Sequence, residues 1–135
     1  GVPGETENLH IRSIVGRYLE HSRVYCFGEG ASEKMYIASA DFMTRNTERR
    51  VEVACPIYDK RVQEKIHHIL ALCLQDNIRA RILEPDGSYS HVPGGEVPID
   101  CQKQLMADAI DASVPVEGKP TLWSRVKDAF SKKKS

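Results

Sequence analysis

The sequence predicts an α/β fold built as a single domain. Short runs rich in β-branched and aromatic residues, such as Val24–Phe27 and Ile78–Leu83, lie between glycine and proline turns and indicate strands. Longer segments repeat apolar residues at helical spacing and indicate amphipathic helices between the strands. The 135 residues fit one domain with its own core, and 41% hydrophobic with 28% charged residues is typical of soluble globular proteins.

The first half of the chain is predicted to hold one helix and three strands. Apolar residues at helical spacing predict a helix over Leu9–Glu20, and the β-branched residues at its start leave open a short strand before it. His21 follows the predicted helix C-terminus, where exposed carbonyl groups favour a protonated imidazole. Arg23–Phe27 and Lys34–Ser39 are predicted to pair as a hairpin around the glycine-containing loop Gly28–Glu33.

The third strand is predicted to run from Arg49 to Cys55. It follows a turn over Ser39–Asn46, and Pro56 ends it. Because side chains alternate along a strand, Arg50 and Glu52 are expected on one face, about 7 Å apart.

The second half is predicted to alternate helix, strand and helix. Asp59 is the predicted N-cap of an amphipathic helix over Lys60–Gln75. Ile78–Leu83 is a predicted strand that ends in a turn, and Ser90–Gly95 is predicted to be loop. A second amphipathic helix is expected from Asp100 to about Ala112.

The histidines and cysteines lack the spacing of a metal site. His67 and His68 have no ligand partner one helical turn away, so we expect a solvated surface pair. The four cysteines are 18 to 29 residues apart and lie in apolar runs, where a free thiol behaves as a small hydrophobe. We therefore expect reduced core thiols and a cytoplasmic protein. The chain begins at Gly1 without methionine, so we also expect a piece of something longer.

The net charge of zero hides an asymmetry between body and tail. Residues 119–135 carry six positive side chains and one negative, which leaves 13 positive and 18 negative charges, a net of −5, in the rest. A body of that sign is a poor nucleic-acid binder, so any anion site must be built from specific arginines. Residues 118–135 form a basic tail with a possible short helix around Trp123. It could dock a partner or an anionic membrane surface, although we favour a solubilising tail.

The stretch Glu20–Glu52 concentrates side chains suited to phosphate chemistry. Arginine guanidinium groups form bidentate contacts with phosphoryl oxygens, and histidine transfers protons near neutral pH. The stretch therefore predicts an anion site, with the alternative that His21 caps a helix and the arginines are solvated. The candidate residues are His21, Arg23, Asp41, Arg45, Asn46, Arg50 and Glu52.

Four segments together resemble the C-terminal domain of bacterial polyphosphate kinase. They read RYLEHSR at Arg17–Arg23, SADFMTRN at Ser39–Asn46, RVEVA at Arg50–Ala54 and VPGGEVPIDCQ at Val92–Gln102. The resemblance covers residues 1 to about 112 in the family's order and spacing. We assign residues 1–117 to that catalytic domain and leave the tail, 118–135, outside it.

The resemblance implies a phospholipase-D-like fold, with a mixed β-sheet flanked by helices and part of the domain missing. His21-Ser22-Arg23 resembles the His-x-Lys of that superfamily, with arginine for lysine. Ser39-Ala40-Asp41 resembles its Ser-x-Asn, but Gly28 stands where the superfamily has an aspartate. The lost aspartate argues against an autonomous phosphodiesterase.

The resemblance also implies a reaction and residue roles. The family transfers the terminal phosphate of ATP reversibly to polyphosphate, with Mg²⁺, through a phosphohistidine in an upstream domain that has no counterpart here. His21 matches the family's second functional histidine, expected to contact the transferring phosphate and act in acid/base catalysis. Arg50 matches a phosphate-binding arginine, and Glu52 is expected to orient its guanidinium. Asp41, Arg45 and Asn46 are expected to brace the turn and His21, with Arg23 in support.

The implied partners are ATP or ADP, polyphosphate and the upstream domains, with homo-oligomers of the full-length enzyme and no nucleic acid. The Mg²⁺ ligands are expected outside this chain, which alone is expected to be inactive. Two alternatives stay open: a dimeric phosphodiesterase of the phospholipase D superfamily, and a non-catalytic interaction module that uses the tail.

Overall fold

The computed structural model describes residues 1–113, so the predicted tail over 118–135 lies outside the described residues. The chain divides into two units, Gly1–Gln102 and a second that begins at Lys103, of which the described part is helical. The strands are β1 (Arg12–Ile14), β2 (Val24–Phe27), β3 (Lys34–Ala38), β4 (Ala54–Pro56), β5 (Ala80–Leu83) and β6 (Tyr89–His91). The α-helices are α1 (Thr44–Glu48), α2 (Lys60–Gln75) and α3 (Cys101–Ser113).

The strands form two three-stranded sheets, in the orders β2-β3-β4 and β1-β5-β6. The α/β class is confirmed, but every described strand pairing is antiparallel, so these strands do not make the single mixed sheet that was expected. The reason is local: hairpin turns join β2 to β3 and β5 to β6. Gly28, Gly30 and Gly87 adopt positive φ angles of 83°, 55° and 84° in those turns, which favours glycine.

The predicted helix over Leu9–Glu20 is wrong. Its start forms β1, which pairs with β5 through Arg12 and Ile82, and the rest is irregular. The side-chain amide of Gln102 replaces a helical partner at Tyr18: it accepts from the Tyr18 backbone N–H (3.1 Å) and donates to the Tyr18 carbonyl (2.9 Å). A Cβ on Gly16 would lie 2.2 Å from that amide oxygen, so glycine permits this approach. His21 therefore follows no helix.

The predicted strand over Arg49–Cys55 is also largely wrong, because β4 begins only at Ala54. Residues 44–48 form α1 instead of a turn, and the chain then runs irregularly past Val51, which is 99% exposed. Ser39 holds the end of this segment: its backbone N–H donates to the Val53 carbonyl (2.9 Å), and its Oγ accepts from the Val53 N–H (3.0 Å). Arg50 and Glu52 therefore do not lie on one face of a strand, as had been expected.

The helix α2 is confirmed at its predicted bounds. The Asp59 carboxylate caps it by accepting from the Arg61 backbone N–H (2.9 Å), and Ile66 within the helix is buried. The helix α3 begins at Cys101, close to its predicted start. Ser90–Gly95 was predicted as loop, but Ser90 and His91 belong to β6. No helix among residues 1–113 is both long and apolar enough to cross a membrane.

A buried carboxylate joins the end of α2, the start of β5 and the first residue of α3. Asp76 is fully buried and accepts four backbone N–H groups: Ile78 (3.0 Å), Arg79 (2.6 Å), Ala80 (3.0 Å) and Cys101 (2.8 Å). Burial opposes ionisation, but the hydrogen bonds from Cys101, Arg79 and Ala80 outweigh it and lower the pKa of Asp76. These bonds fix the sheet β1-β5-β6 against the end of α2 and against Cys101.

All four cysteines are free, but the prediction that they are core thiols is wrong for two of them. Cys26 and Cys55 are exposed, Cys73 is half-buried and Cys101 is buried. Cys26 and Cys55 are exposed because they lie in β2 and β4, the two outer strands of their sheet.

Candidate functional site

The centre of the candidate site is an ion pair between Arg23 and Asp41. The Arg23 Nε donates to Asp41 Oδ1 (2.6 Å) and its Nη2 donates to Oδ2 (3.2 Å). The two residues meet because β2 and β3 are antiparallel, so the start of β2 lies beside the end of β3. The Ala38 N–H donates to the Arg23 carbonyl (2.9 Å) at this point. The pair therefore fixes the chain on both sides of the site.

The charges around Asp41 place His21 and Arg45 at the same end of the sheet. The hydrogen bond from Arg23 lowers the pKa of Asp41 most, and the charges of Arg23, His21 and Arg45 lower it further against the effect of burial. His21 and Arg45 themselves are exposed and form no ion pair or side-chain hydrogen bond within residues 1–113. The site therefore combines Arg23, whose charge is balanced by Asp41, with the exposed side chains of His21 and Arg45.

Asn46 supports the turn at Asp41 through its side chain. It is 5% exposed, and its Nδ2 donates to the Asp41 carbonyl (3.2 Å). Its Oδ1 is buried and has no partner among the described residues. Arg45, in contrast, makes no bracing contact of the kind that was expected.

Glu52 does not orient Arg50, so that expectation is wrong. Glu52 instead accepts a hydrogen bond from the Ser39 hydroxyl, and it lies near enough to Arg23 to raise the pKa of that guanidinium after the larger effects of Asp41. Arg50 is exposed in the irregular segment before β4, and within residues 1–113 it has no ion pair or side-chain hydrogen bond. Its guanidinium is therefore available to an anion.

An apolar groove of about 310 Å³ borders these residues. Its aromatic side chains pair edge to face, with ring centroids 5.0 Å apart for Tyr25 and Phe42 and 6.1 Å apart for Phe27 and Tyr36. The Tyr25 hydroxyl donates to the Ala40 carbonyl (2.5 Å), and Asp41 and Glu52 stand at the polar edge of the groove. This groove was not predicted from the sequence, although the aromatic residues of β2 and β3 were a signal for it.

Comparison with known proteins identifies the family. The family model "Polyphosphate kinase C-terminal domain 2" matches residues 1–104. The chain belongs to this family. The polyphosphate kinase of Bacillus cereus is 47% identical over 106 residues, which are 78% of this chain and 15% of that protein. The polyphosphate kinase of Pseudomonas aeruginosa is 43% identical over 108 residues, 78% of this chain and 16% of that protein.

A crystal structure shares the fold of this polyphosphate kinase domain. The polyphosphate kinase from Porphyromonas gingivalis superposes with a TM-score of 0.75 and 33% identity, over 82% of this chain and 18% of that one. The resemblance to the C-terminal domain of polyphosphate kinase is therefore confirmed. The chain spans about 15% of the length of the curated relatives it matches.

The described part of the polyphosphate kinase domain offers no ligand set for a metal. Residues 1–113 contain no group of three or more histidine, cysteine, aspartate or glutamate side chains suited to a metal ion. His67, predicted to be solvated, donates a hydrogen bond from Nε2 to the Glu33 carboxylate (2.7 Å), which ties α2 to the loop before β3.

Proposed function

We propose that this chain is the C-terminal part of a polyphosphate kinase and forms one wall of its phosphoryl-transfer site. The enzyme would transfer the terminal phosphate of ATP reversibly to polyphosphate through a phosphohistidine in another domain of the same polypeptide. Family membership over residues 1–104 and relatives named polyphosphate kinase support the class of enzyme. The observation that carries the site is the Arg23–Asp41 pair, which fixes the chain two residues beyond an exposed His21.

His21 and Arg50 have complementary roles in this proposal. His21 contacts the transferring phosphate and exchanges a proton with it as charge moves between the phosphohistidine and ADP. Arg50 neutralises charge on the phosphoryl oxygens in the transition state. A guanidinium without an internal carboxylate partner is suited to this role, since no ion pair within the protein has to break when the phosphate binds.

Arg23, Asp41 and Asn46 act as positioning residues. The bidentate geometry of Arg23 on Asp41 restricts the backbone that leads from His21 into β2. Asn46 holds the Asp41 carbonyl from the other side. None of the three needs to contact substrate for this role.

The proposal extends to cofactor, assembly and location. When bound, Mg²⁺ would neutralise phosphate oxygens, and we place its ligands outside residues 1–113, which lack a suitable group. We further propose a homo-oligomeric, cytoplasmic enzyme, which the four free cysteines support.

The test uses the isolated 135-residue chain beside the full-length enzyme. With ATP and Mg²⁺, the full-length enzyme should make polyphosphate and the isolated chain should make none, because it lacks the nucleophilic histidine. Arg50→Ala in the full-length enzyme should lower turnover at least about 100-fold, whereas Arg61→Ala, in an exposed arginine on α2, should leave it unchanged. Synthesis by the isolated chain, or normal turnover of Arg50→Ala, would contradict the proposal.

A further inference from the structure

Two arginines of α1 and its C-cap are exposed and have no side-chain partner in the part of the chain that the structure describes. Arg45 and Arg49 lie one helical turn apart, since the Arg49 backbone N–H donates to the Arg45 carbonyl (3.2 Å). Residues separated by four positions on a helix present neighbouring side chains. Within residues 1–113 neither guanidinium forms an ion pair or hydrogen bond. We call these two residues the arginine pair.

The nearby carboxylates of residues 1–113 form no ion pair with the arginine pair. Both oxygens of Asp41 are occupied by Arg23, and Glu52 accepts from the Ser39 hydroxyl. Glu48 lies between the two arginines in α1 but forms no ion pair with either. The body of the chain carries a net charge of −5, so open arginines concentrated on one short helix are a local exception.

The arginine pair also adjoins the proposed reaction site. The charge of Arg45 reaches Asp41, as does that of His21, so both lie at the end of the sheet where β3 runs into α1. Arg50 directly follows Arg49. The open cations therefore lie near Asp41, as His21 and Arg45, and at the C-terminal end of α1, as Arg49 and Arg50, and a ligand that meets all of them must carry several negative charges along an extended shape.

We propose that Arg45 and Arg49 bind the inorganic polyphosphate chain at the phosphates next to the one that reacts. The inference rests on the proposed function and adds two substrate-binding residues to it. Guanidinium groups bind phosphoryl oxygens in bidentate fashion, and a linear polyanion can engage several of them at once. A single phosphate ion can contact the arginine pair but does not extend to His21 and Arg50 as well, so this row of cations favours long over short polyanions and gives avidity rather than catalysis.

The direct test measures binding of sodium polyphosphate, tripolyphosphate and orthophosphate to the 135-residue chain by calorimetry. The double variant Arg45→Gln/Arg49→Gln should lose at least about tenfold in affinity for polyphosphate, with a smaller loss for tripolyphosphate. The slope of log affinity against log salt should fall by about 0.7 for each phosphate that the double variant no longer binds, as for single-stranded nucleic acids. Glutamine preserves helix propensity, so the fold should be retained, which circular dichroism checks.

Two control variants separate this site from other cations. Arg61→Gln removes an exposed arginine on α2 and should bind like the wild type. Lys132→Gln/Lys133→Gln/Lys134→Gln removes tail charge and should leave the length preference intact. Absence of polyphosphate binding by the wild type, double-variant affinity within twofold of the wild type, or a length preference that disappears only in the tail variant would each overturn the inference.

A kinetic measurement separates this inference from the proposed function. In the full-length enzyme assayed towards ATP, the double variant should raise the KM for polyphosphate while kcat and the KM for ADP change little. If that KM is unchanged while Arg50→Ala is inactive, the arginine pair is refuted and the proposed function stands. If Arg50→Ala is fully active, the proposed function fails by itself.

Discussion

Replacing Asp76, the fully buried carboxylate of residues 1–113, should destabilise the fold strongly. Asp76→Ala leaves four backbone N–H groups without their acceptor. Ile78 and Arg79 are exposed enough for water to replace the bond, but Ala80 and Cys101 are 1% and 0% exposed. At about 1–3 kcal/mol for each buried unsatisfied donor, those two groups predict a loss of about 2–6 kcal/mol.

The assay is urea denaturation at pH 7, with the free energy of unfolding compared at constant m-value. Asp76→Asn keeps an oxygen for the Ile78, Arg79 and Ala80 N–H groups but turns its amide towards Cys101. It should therefore lose less than the alanine variant, about 1–3 kcal/mol. Asp86→Ala, in the exposed turn before β6, should remain near wild type because water replaces its bonds to Ser88.

The pH dependence gives a second check on Asp76. Its pKa is lowered in the folded chain, so its contribution is fully present above the ordinary aspartate pKa and is lost as the pH falls through the lowered value. Asp76→Asn should remove this part of the acid sensitivity. Equal stability of wild type and Asp76→Ala at pH 7 would refute the assigned role.

Three further changes test separate parts of the fold. Met35→Ala should cost about 2–5 kcal/mol of unfolding free energy, because Met35 is 2% exposed in the sheet β2-β3-β4; a loss below about 1 kcal/mol, measured by urea denaturation, would contradict this core assignment. Arg23→Gln should raise the pKa of Asp41 towards its ordinary value. The stability that this pair contributes is present at neutral pH and lost as the pH falls through the lowered pKa, and the variant should lack it. In a carbon-detected NMR titration of the Asp41 carboxyl, the same pKa in variant and wild type would contradict this role. Gly16→Ala should displace the Gln102 amide from Tyr18 and cost about 1–3 kcal/mol, whereas unchanged exchange protection of the Tyr18 amide would argue against this contact.

The sequence predicted best where local signals agree. The N-cap Asp59 and a long amphipathic period together define α2, and alternating residues around Gly28 and Gly30 define the β2–β3 hairpin. Both depend on contacts between residues close in the chain. Local propensity is therefore sufficient to recognise them.

The failures come from contacts between residues far apart in the sequence. Helical spacing predicted a helix over Leu9–Glu20, but the segment is not helical, and Gln102 binds the backbone at Tyr18 from 84 residues away. Alternation predicted a strand over Arg49–Cys55, but the Val53 N–H donates to the Ser39 hydroxyl and not to a neighbouring strand. No periodicity in a single segment contains this information.

The candidate site shows the same division. The residue types of His21, Arg23 and Asp41 indicated phosphate chemistry, and the resemblance indicated which of them to select. The partners could not be read from the sequence: Asp41 binds Arg23, Glu52 binds Ser39, and Arg45 and Arg50 stay open among residues 1–113. Strand alternation over Arg49–Cys55 wrongly placed Glu52 beside Arg50, so the sequence did not indicate that the Arg50 guanidinium is unpaired among residues 1–113.

The most direct test of the central claim is the rate of ATP-dependent polyphosphate synthesis by the full-length enzyme carrying His21→Ala. If His21 acts in acid/base catalysis, turnover should fall at least about 100-fold. The control His91→Ala, in an exposed histidine of β6, should retain wild-type turnover. Near-normal turnover of His21→Ala, in protein that is folded by circular dichroism, would contradict the claim.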